Sequence, residues 1–249
     1  MSEPNHMSNI HAVVQAGGKG ERLRPLTADR PKPMLEVGGV PMFERVVRGL
    51  INAGIDRITI VVAYRADMIR DHVETMNLPR RVRIDFFEET NMLGNAGALG
   101  RIGVERKYAL LAFGDLVTDL DFSTFAQRGF VEGCDILLAS HKEEHRLQLG
   151  EIVVDGNEVL AYREKPLKTF LICSGIALFR RDCLSVIPGD DGCPFGISDL
   201  ITAALKCGHT VKHWEHGAFW MDVNTLEALD EANRIIALKT SPQHAFPPP

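Results

Sequence analysis

The stretch at residues 13–34, VVQAGGKGERLRPLTADRPKPM, limits what this chain can fold into more than any other. An apolar run over residues 11–16 breaks at Gly17, Gly18 and Gly20, and the cations Lys19, Arg22, Arg24 and Lys32 follow before Met34. An apolar run that empties into glycines reads as a buried strand ending in an anion-binding loop. Glycine reaches positive φ, and several backbone N–H groups can then converge on phosphate oxygens. Lys19, Arg22 and Lys32 add fixed charge, and the Arg22 guanidinium matches phosphate oxygens two at a time. The spacing is not that of a Walker A loop, which needs G-x-x-x-x-G-K-[ST]. Nor is it the dinucleotide fingerprint, whose third glycine would fall at Leu23.

The rest of the chain extends this unit into an α/β architecture. Residues 41–53 have apolar side chains at helical spacing and stop at Gly54, and residues 57–63 (RITIVVA) read as a buried strand. A helix over 65–76, a strand over 82–87, a helix over 95–106 and a strand over 108–113 continue the alternation. That order implies a mostly parallel sheet with crossover helices and ligands at the strands' carboxyl ends. Past residue 133 the pattern is mixed. A strand at 134–140 precedes a hairpin within 150–163, marked by Asp155-Gly156. A strand at 171–179, a helix at 198–207 and a short strand at 210–214 follow. The last helix, 225–238, is capped by Asn224 or Thr225. We expect one domain over residues 10–238, with flexible tails at 1–9 and 240–249.

At 249 residues the chain can bury a large core. Its formal net charge of -5 argues against nonspecific nucleic-acid binding, which selects basic faces. No apolar run reaches the roughly eighteen residues of a membrane span. The opening MSEPNHMSN lacks the apolar core of a signal peptide. Cys134, Cys173, Cys183, Cys193 and Cys207 show no C-x-x-C spacing, which suits reduced thiols. A cytoplasmic protein without nucleic-acid or membrane partners is expected. His141, His145, His209, His213 and His216 are scattered, and are expected at the surface rather than on zinc, which needs converging ligands.

The run Gln15-Ala16-Gly17-Gly18-Lys19-Gly20-Glu21-Arg22-Leu23-Arg24-Pro25-Leu26-Thr27, with Pro31-Lys32-Pro33-Met34, resembles the signature of the sugar-1-phosphate nucleotidyltransferases. That signature is [LM]-A-G-G-x-G-T-R-L-x-P-L-T followed by P-K-P-M. Gln15 replaces an aliphatic residue and Glu21 replaces Thr. The resemblance covers nearly the whole chain. It implies a Rossmann-like nucleotidyltransferase fold, α/β with a mostly parallel (mixed) central sheet flanked by helices. It further implies a nucleotide-binding half to about residue 140 and a sugar-phosphate half beyond. The implied reaction transfers a nucleotidyl group from an NTP to a sugar 1-phosphate, releasing pyrophosphate. On this resemblance Gln15, Ala16, Gly17, Gly18, Lys19, Gly20 and Glu21 bind the nucleotide, and Arg22 and Lys32 are catalytic cations. Gly114-Asp115 resembles the family's N-G-D, with Phe113 for Asn. Trp220-Met221-Asp222-Val223-Asn224-Thr225 resembles W-x-D-[IV]-G-T, with Asn224 for Gly. Asp115 (also catalytic) and Asp222 are thereby implied to hold magnesium.

Tyr162-Arg163-Glu164-Lys165-Pro166 resembles F-x-E-K-P, which assigns Glu164 to sugar hydroxyls and Lys165 to the sugar's phosphate. Gly150 matches a sugar-side G-x-[IV] strand. Cys173-Ser174-Gly175-Ile176 stands where relatives have N-[AT]-G-I. Cys173 cannot hydrogen-bond as that Asn does, so an unusual sugar is expected. Residues 88–98 resemble E-x-x-P-L-G-T-A-G-A, which puts Glu89, Gly94 and Asn95 beside the base. A carboxylate only accepts and guanine's N1–H and N2–H edge only donates, so GTP is favoured over UTP, CTP or dTTP. Homo-oligomerisation stays open. Two rivals remain. A glycosyltransferase on a similar sheet would need a D-x-D metal site and no such cradle. A non-catalytic nucleotide-sugar sensor would be expected to have lost Arg22, Lys32 or Asp115.

Overall fold

Residues 10–14 are all buried, so the strand they form must have neighbours on both sides and cover on both faces. In the computed structural model, which describes residues 6–189 and 193–240, a seven-stranded sheet supplies this setting. Its strands are β1 (Ile10–Gln15), β2 (Arg57–Val62), β3 (Arg83–Glu88), β4 (Tyr108–Phe113), β5 (Ile136–Arg146), β6 (Leu167–Arg180) and β7 (Val211–Glu215). They lie in the order β7-β5-β6-β4-β1-β2-β3. β1 runs parallel to β2 and β4, β2 to β3, and β5 to β7. β6 alone is antiparallel to its neighbours β4 and β5, which makes the sheet mixed as expected.

Alternation along β1 divides its side chains between two cores. Ile10, Ala12 and Val14 pack with Val46, Leu50, Ile58, Ile60 and Leu110 on one face. Val13 joins Val61, Leu111, Ala177 and Phe179 on the other. Helices Met42–Asn52 and Ala66–Thr75 serve as the expected crossovers. β1 is flanked by strands that follow it by opposite routes, so the crevice at its carboxyl end is where an open α/β sheet binds ligands.

Several expectations change. The helix expected over 95–106 shrinks to Gly94–Gly97 and a 3-10 turn at Ala98–Gly100. Gly94, Gly97, Gly100 and Gly103 interrupt that segment, and each glycine weakens a helix interior by about 1 kcal/mol relative to Ala. A helix at Phe122–Glu132, absent from the sequence reading, starts where Asp121 accepts the Ser123 amide at 2.8 Å. β5 and β6 run several residues longer than expected and project past the sheet, where the hairpin Glu151–Asp155 and Glu158–Arg163 joins them. His6–Asn9, read as tail, form a 3-10 turn with Met7 buried in the core. The remaining tail positions, 1–5 and 241–249, lie outside the described residues. No described helix is long and apolar enough to cross a membrane.

Candidate active site

The glycine loop leaves β1 at the carboxyl edge and folds back on the Pro31–Met34 segment. Lys32 N–H donates to Gly18 O at 3.3 Å, and Thr27 Oγ1 donates to Gly20 O at 2.7 Å. Gly20 has φ 70°, and a Cβ there would stand 2.7 Å from the Lys32 Cβ, so the turn accepts only glycine. Gly18, Lys19, Arg22 and Arg24 are exposed. No hydrogen bond or ion pair engages the Lys19, Arg22 or Arg24 side chains among the described residues, which leaves these cations available to an anion.

Beside this loop lies a cavity of about 840 Å³, lined by Gln15, Gly17, Lys19, Glu21, Tyr64 and Glu89 at one end and by Phe113, Asp115 and Asp222 at the other. Gly94 and Asn95 also line it; Arg22 and Lys32 do not. β3 stops at Glu88, whose carboxylate turns outward to Arg70 at 2.7 Å. Glu89 turns inward, and Gln15 Nε2 donates to its Oε1 at 3.5 Å. A Cβ on Gly17 would stand 3.3 Å from Glu89 Oε2, so the loop's first glycine leaves room for this carboxyl. Burial raises the Glu89 pKa, against the opposing pull of Gln15 and of Arg101.

The other end is built from side chains far apart in sequence. A two-stranded antiparallel ladder pairs Leu116–Thr118 with Trp220–Asp222, with Leu116 opposite Asp222. This brings Asp222 beside Asp115, the residue before Leu116. Lys32 Nζ reaches into the space between them from below the loop. It donates to Asp115 Oδ2 at 2.6 Å, Asp222 Oδ1 at 3.2 Å and Asn224 Oδ1 at 2.5 Å. Asn224 Nδ2 also donates to Asp222 Oδ2. The Lys32 side chain is 7% exposed, while Asp115 and Asp222 keep 27% and 37% of theirs. The cation is therefore buried and the carboxylates face the cavity. Asn224 was read from sequence only as a glycine substitute or helix cap, and its polar side chain two residues after Asp222 was the signal for this second role.

The residues assigned to the sugar phosphate do not line this cavity. Glu164 and Lys165 are exposed beyond the hairpin, where Tyr162 donates to Glu164 at 3.0 Å and Arg146 to the Lys165 carbonyl at 3.2 Å. Gly150 packs against the Tyr162 ring, and Cys173 is exposed. Gly175 does not line it either, but it touches a residue that does. Its Cβ position lies 2.8 Å from the ring of Phe113, which lines the cavity, so β6 reaches the cavity wall through Phe113.

The histidines correct the surface reading in part. His141 and His216 are buried, each bonded to Ser174. Asp135, Cys183 and His209 are the one grouping of three such ligands among the described residues that could converge on a metal ion. They sit where β5 and β7 begin, at the opposite edge of the sheet from the loop. The Asp135 carboxylate there is already engaged by Arg180 and Thr210.

The base-side loop is clamped at its start. Gly94 has φ 78°, and a Cβ on it would approach the Phe195 carbonyl oxygen to 2.6 Å. Phe195 N–H donates to Leu93 O at 2.7 Å, and Asn95 Oδ1 accepts the Ile197 amide at 2.7 Å. Gly94→Ala is therefore expected to lower unfolding free energy by about 2 kcal/mol or more, from left-handed strain plus the backbone clash. Urea denaturation checks this; an unchanged midpoint would mean the clamp is not built as described.

A model of the nucleotidyl transferase family matches residues 11–239. A Sulfolobus acidocaldarius protein provisionally named mannose-1-phosphate guanyltransferase is 29% identical over 220 residues, 86% of this chain and 59% of that protein. The Haloferax volcanii UTP–glucose-1-phosphate uridylyltransferase AglF is 27% identical over 243 residues, 93% of this chain and 98% of AglF. The crystal structure of HddC from Yersinia pseudotuberculosis superposes with TM-score 0.70 at 25% identity, covering 91% of this chain and 99% of that one. Against several curated relatives the chain spans little more than half their length, 59% and 54% in two cases.

Proposed function

The chain belongs to the nucleotidyl transferase family, and from that premise we propose that it moves a nucleotidyl group from an NTP to a sugar 1-phosphate, releasing pyrophosphate. The observation that carries this reading is a single cavity with an uncommitted cationic glycine loop and two converging carboxylates on its walls. One oxygen of the sugar phosphate attacks the α-phosphorus, the bond from that phosphorus to the β-bridging oxygen breaks, and pyrophosphate leaves with the electron pair. No proton must move. The protein's task is to align the two anions and offset their charge. Lys19 and Arg22 stand ready for phosphate oxygens beside the loop amides, and the buried Lys32 holds a fixed positive charge behind Asp115 and Asp222.

Magnesium fits the donor set. Three oxygens, from Asp115, Asp222 and Asn224, already converge on one cationic nitrogen within 3.2 Å, and hard oxygen donors suit this ion. Bound by Asp115 and Asp222, it would supply the charge neutralisation that the triphosphate requires.

We favour guanine as the base. Glu89 is the inward carboxylate, and an acceptor-only group pairs with guanine's donor edge, whereas uracil would set a carbonyl against it. GTP is expected to exceed UTP by about a hundredfold, and Glu89→Gln to cut that ratio to about tenfold or less. Because burial raises the Glu89 pKa, the preference should fade as pH falls and the carboxyl gains a proton. Incubating the protein with each NTP and a panel of sugar 1-phosphates, with pyrophosphate release as readout, tests both levels. Turnover with UTP or dTTP above GTP would remove guanine and keep the reaction. A sugar nucleotide consumed without pyrophosphate chemistry would instead favour the glycosyltransferase reading.

A further inference from the structure

Three polar side chains sit almost fully inside the sheet where apolar packing would be expected: His141 at 9% exposure, Ser174 at 0% and His216 at 7%. They form one chain with Glu143. Glu143 Oε1 lies 3.0 Å from His141 Nε2, His141 Nδ1 lies 2.9 Å from Ser174 Oγ, and Ser174 Oγ lies 2.9 Å from His216 Nε2. The carboxylate fixes the direction of the first bond. It only accepts, so His141 Nε2–H donates to it, and its pKa is lowered chiefly by that bond. A neutral His141 then has only a lone pair at Nδ1, so the Ser174 hydroxyl donates there and accepts from His216 Nε2–H. Burial and the neighbouring His141 lower the His216 pKa and favour its neutral form.

This chain converges on an irregularity of β6. Against β5, Cys173 pairs with Ser140 and Ala177 with Leu138, so four steps along β6 match two along β5. A bulge of this kind leaves backbone groups without ladder partners and re-aims the side chains around it. Ser174 lies within this irregular stretch, between Cys173 and Ala177. Its carbonyl accepts the Trp220 indole N–H at 2.7 Å, and the Trp220 ring lies on His141 with centroids 4.2 Å apart. The next residue, Gly175, at φ 70°, lies against Phe113 in the cavity wall. These bonds tie β5 and β6 to His216, the residue after β7, across the irregular stretch.

We propose that the Glu143–His141–Ser174–His216 chain is a positioning device that holds the β6 bulge, and through Gly175 the Phe113 wall of the cavity, on the acceptor side of the site. The role assigned to that wall rests on the proposed nucleotidyl transfer. His141 and His216 touch no substrate; they act through Ser174. The nucleotide end is built on β1, β3 and the glycine loop, none of which the chain supports. Loss of the chain should therefore weaken acceptor use and leave NTP binding intact.

The test compares His141→Phe with His141→Asn. Phenylalanine keeps the ring over Trp220 but removes both hydrogen bonds, whereas asparagine keeps a polar atom near the Nδ1 position. His141→Phe should raise the acceptor KM by about tenfold or more, since small misplacements of positioning groups act on this scale. Calorimetric NTP affinity should stay within about twofold of the parent, and His141→Asn should recover most of the lost acceptor use. In the same variants without substrate, amide exchange at Cys173–Gly175 should quicken in His141→Phe and return toward the parent in His141→Asn. An unchanged acceptor KM, or a parallel loss of NTP affinity, would overturn the proposal. If the parent protein turns over no sugar phosphate, the reaction reading fails and exchange decides alone: unaltered protection of the bulge in His141→Phe rejects the device. Should His141→Phe not fold, Glu143→Gln replaces it, with the same split between acceptor KM and NTP affinity required.

Discussion

Asp115→Asn and Asp222→Asn are each expected to reduce pyrophosphate release by about a thousandfold, equivalent to about 4 kcal/mol of lost transition-state stabilisation. The short ladder sets Leu116 opposite Asp222 and so turns both carboxylates into one end of the cavity. An amide keeps the shape and the hydrogen-bonding oxygen but removes the charge that a divalent ion needs. Either change leaves a single anionic ligand. Both variants should stay folded, because Lys32 retains Asn224 and the other carboxylate as partners. Circular dichroism and thermal melts provide that control. Metal affinity, followed by magnesium titration of the nucleotide-bound protein, should fall along with rate. Full activity of Asp222→Asn at low magnesium would show that the ion is held elsewhere.

Lys32→Met should be nearly as damaging, and in two ways. Its ammonium is buried against both carboxylates, and removing one such fixed charge costs about a hundredfold or more in kcat. The substitution also leaves Asp115 and Asp222 facing each other without a counter-charge. Breaking a fully buried ion pair costs about 3–5 kcal/mol, but both carboxylates retain solvent contact, so about 2 kcal/mol is the expected loss in metal-free protein. Magnesium should restore part of the melting temperature in Lys32→Met and raise that of the parent much less. Activity within about threefold of the parent would remove Lys32 from the proposed machinery.

What could be read from sequence was what is local. The run from Ala12 to Lys32 encodes a strand, a turn and a cationic loop in consecutive residues, and the glycines at 17 and 20 mark the close approaches found there. That β1, β2, β3 and β4 run parallel followed from the strand–helix alternation, but their order in the sheet did not. The glycine-rich segment after Leu93 misled, because apolar spacing suggested a helix that the glycines do not sustain. Which of Glu88 and Glu89 faces inward depends on where β3 ends relative to Val62, a register set between strands. The ladder joining Asp115 to Asp222 has three residues per strand, too short for a period to show. The Glu143–His141–Ser174–His216 chain joins positions spread over most of the second half, and nothing in local pattern separates such histidines from exposed ones.

The central claim is that an oxygen of a sugar phosphate attacks the α-phosphorus of an NTP bound in this cavity. The most direct measurement uses 32P in the sugar 1-phosphate and unlabelled NTP with magnesium, followed by separation of products. The label is expected to move intact into a nucleoside diphosphate sugar, at the phosphate next to the sugar, with one pyrophosphate released per label incorporated. Label appearing as free phosphate, or in a nucleotide without the sugar, would contradict it.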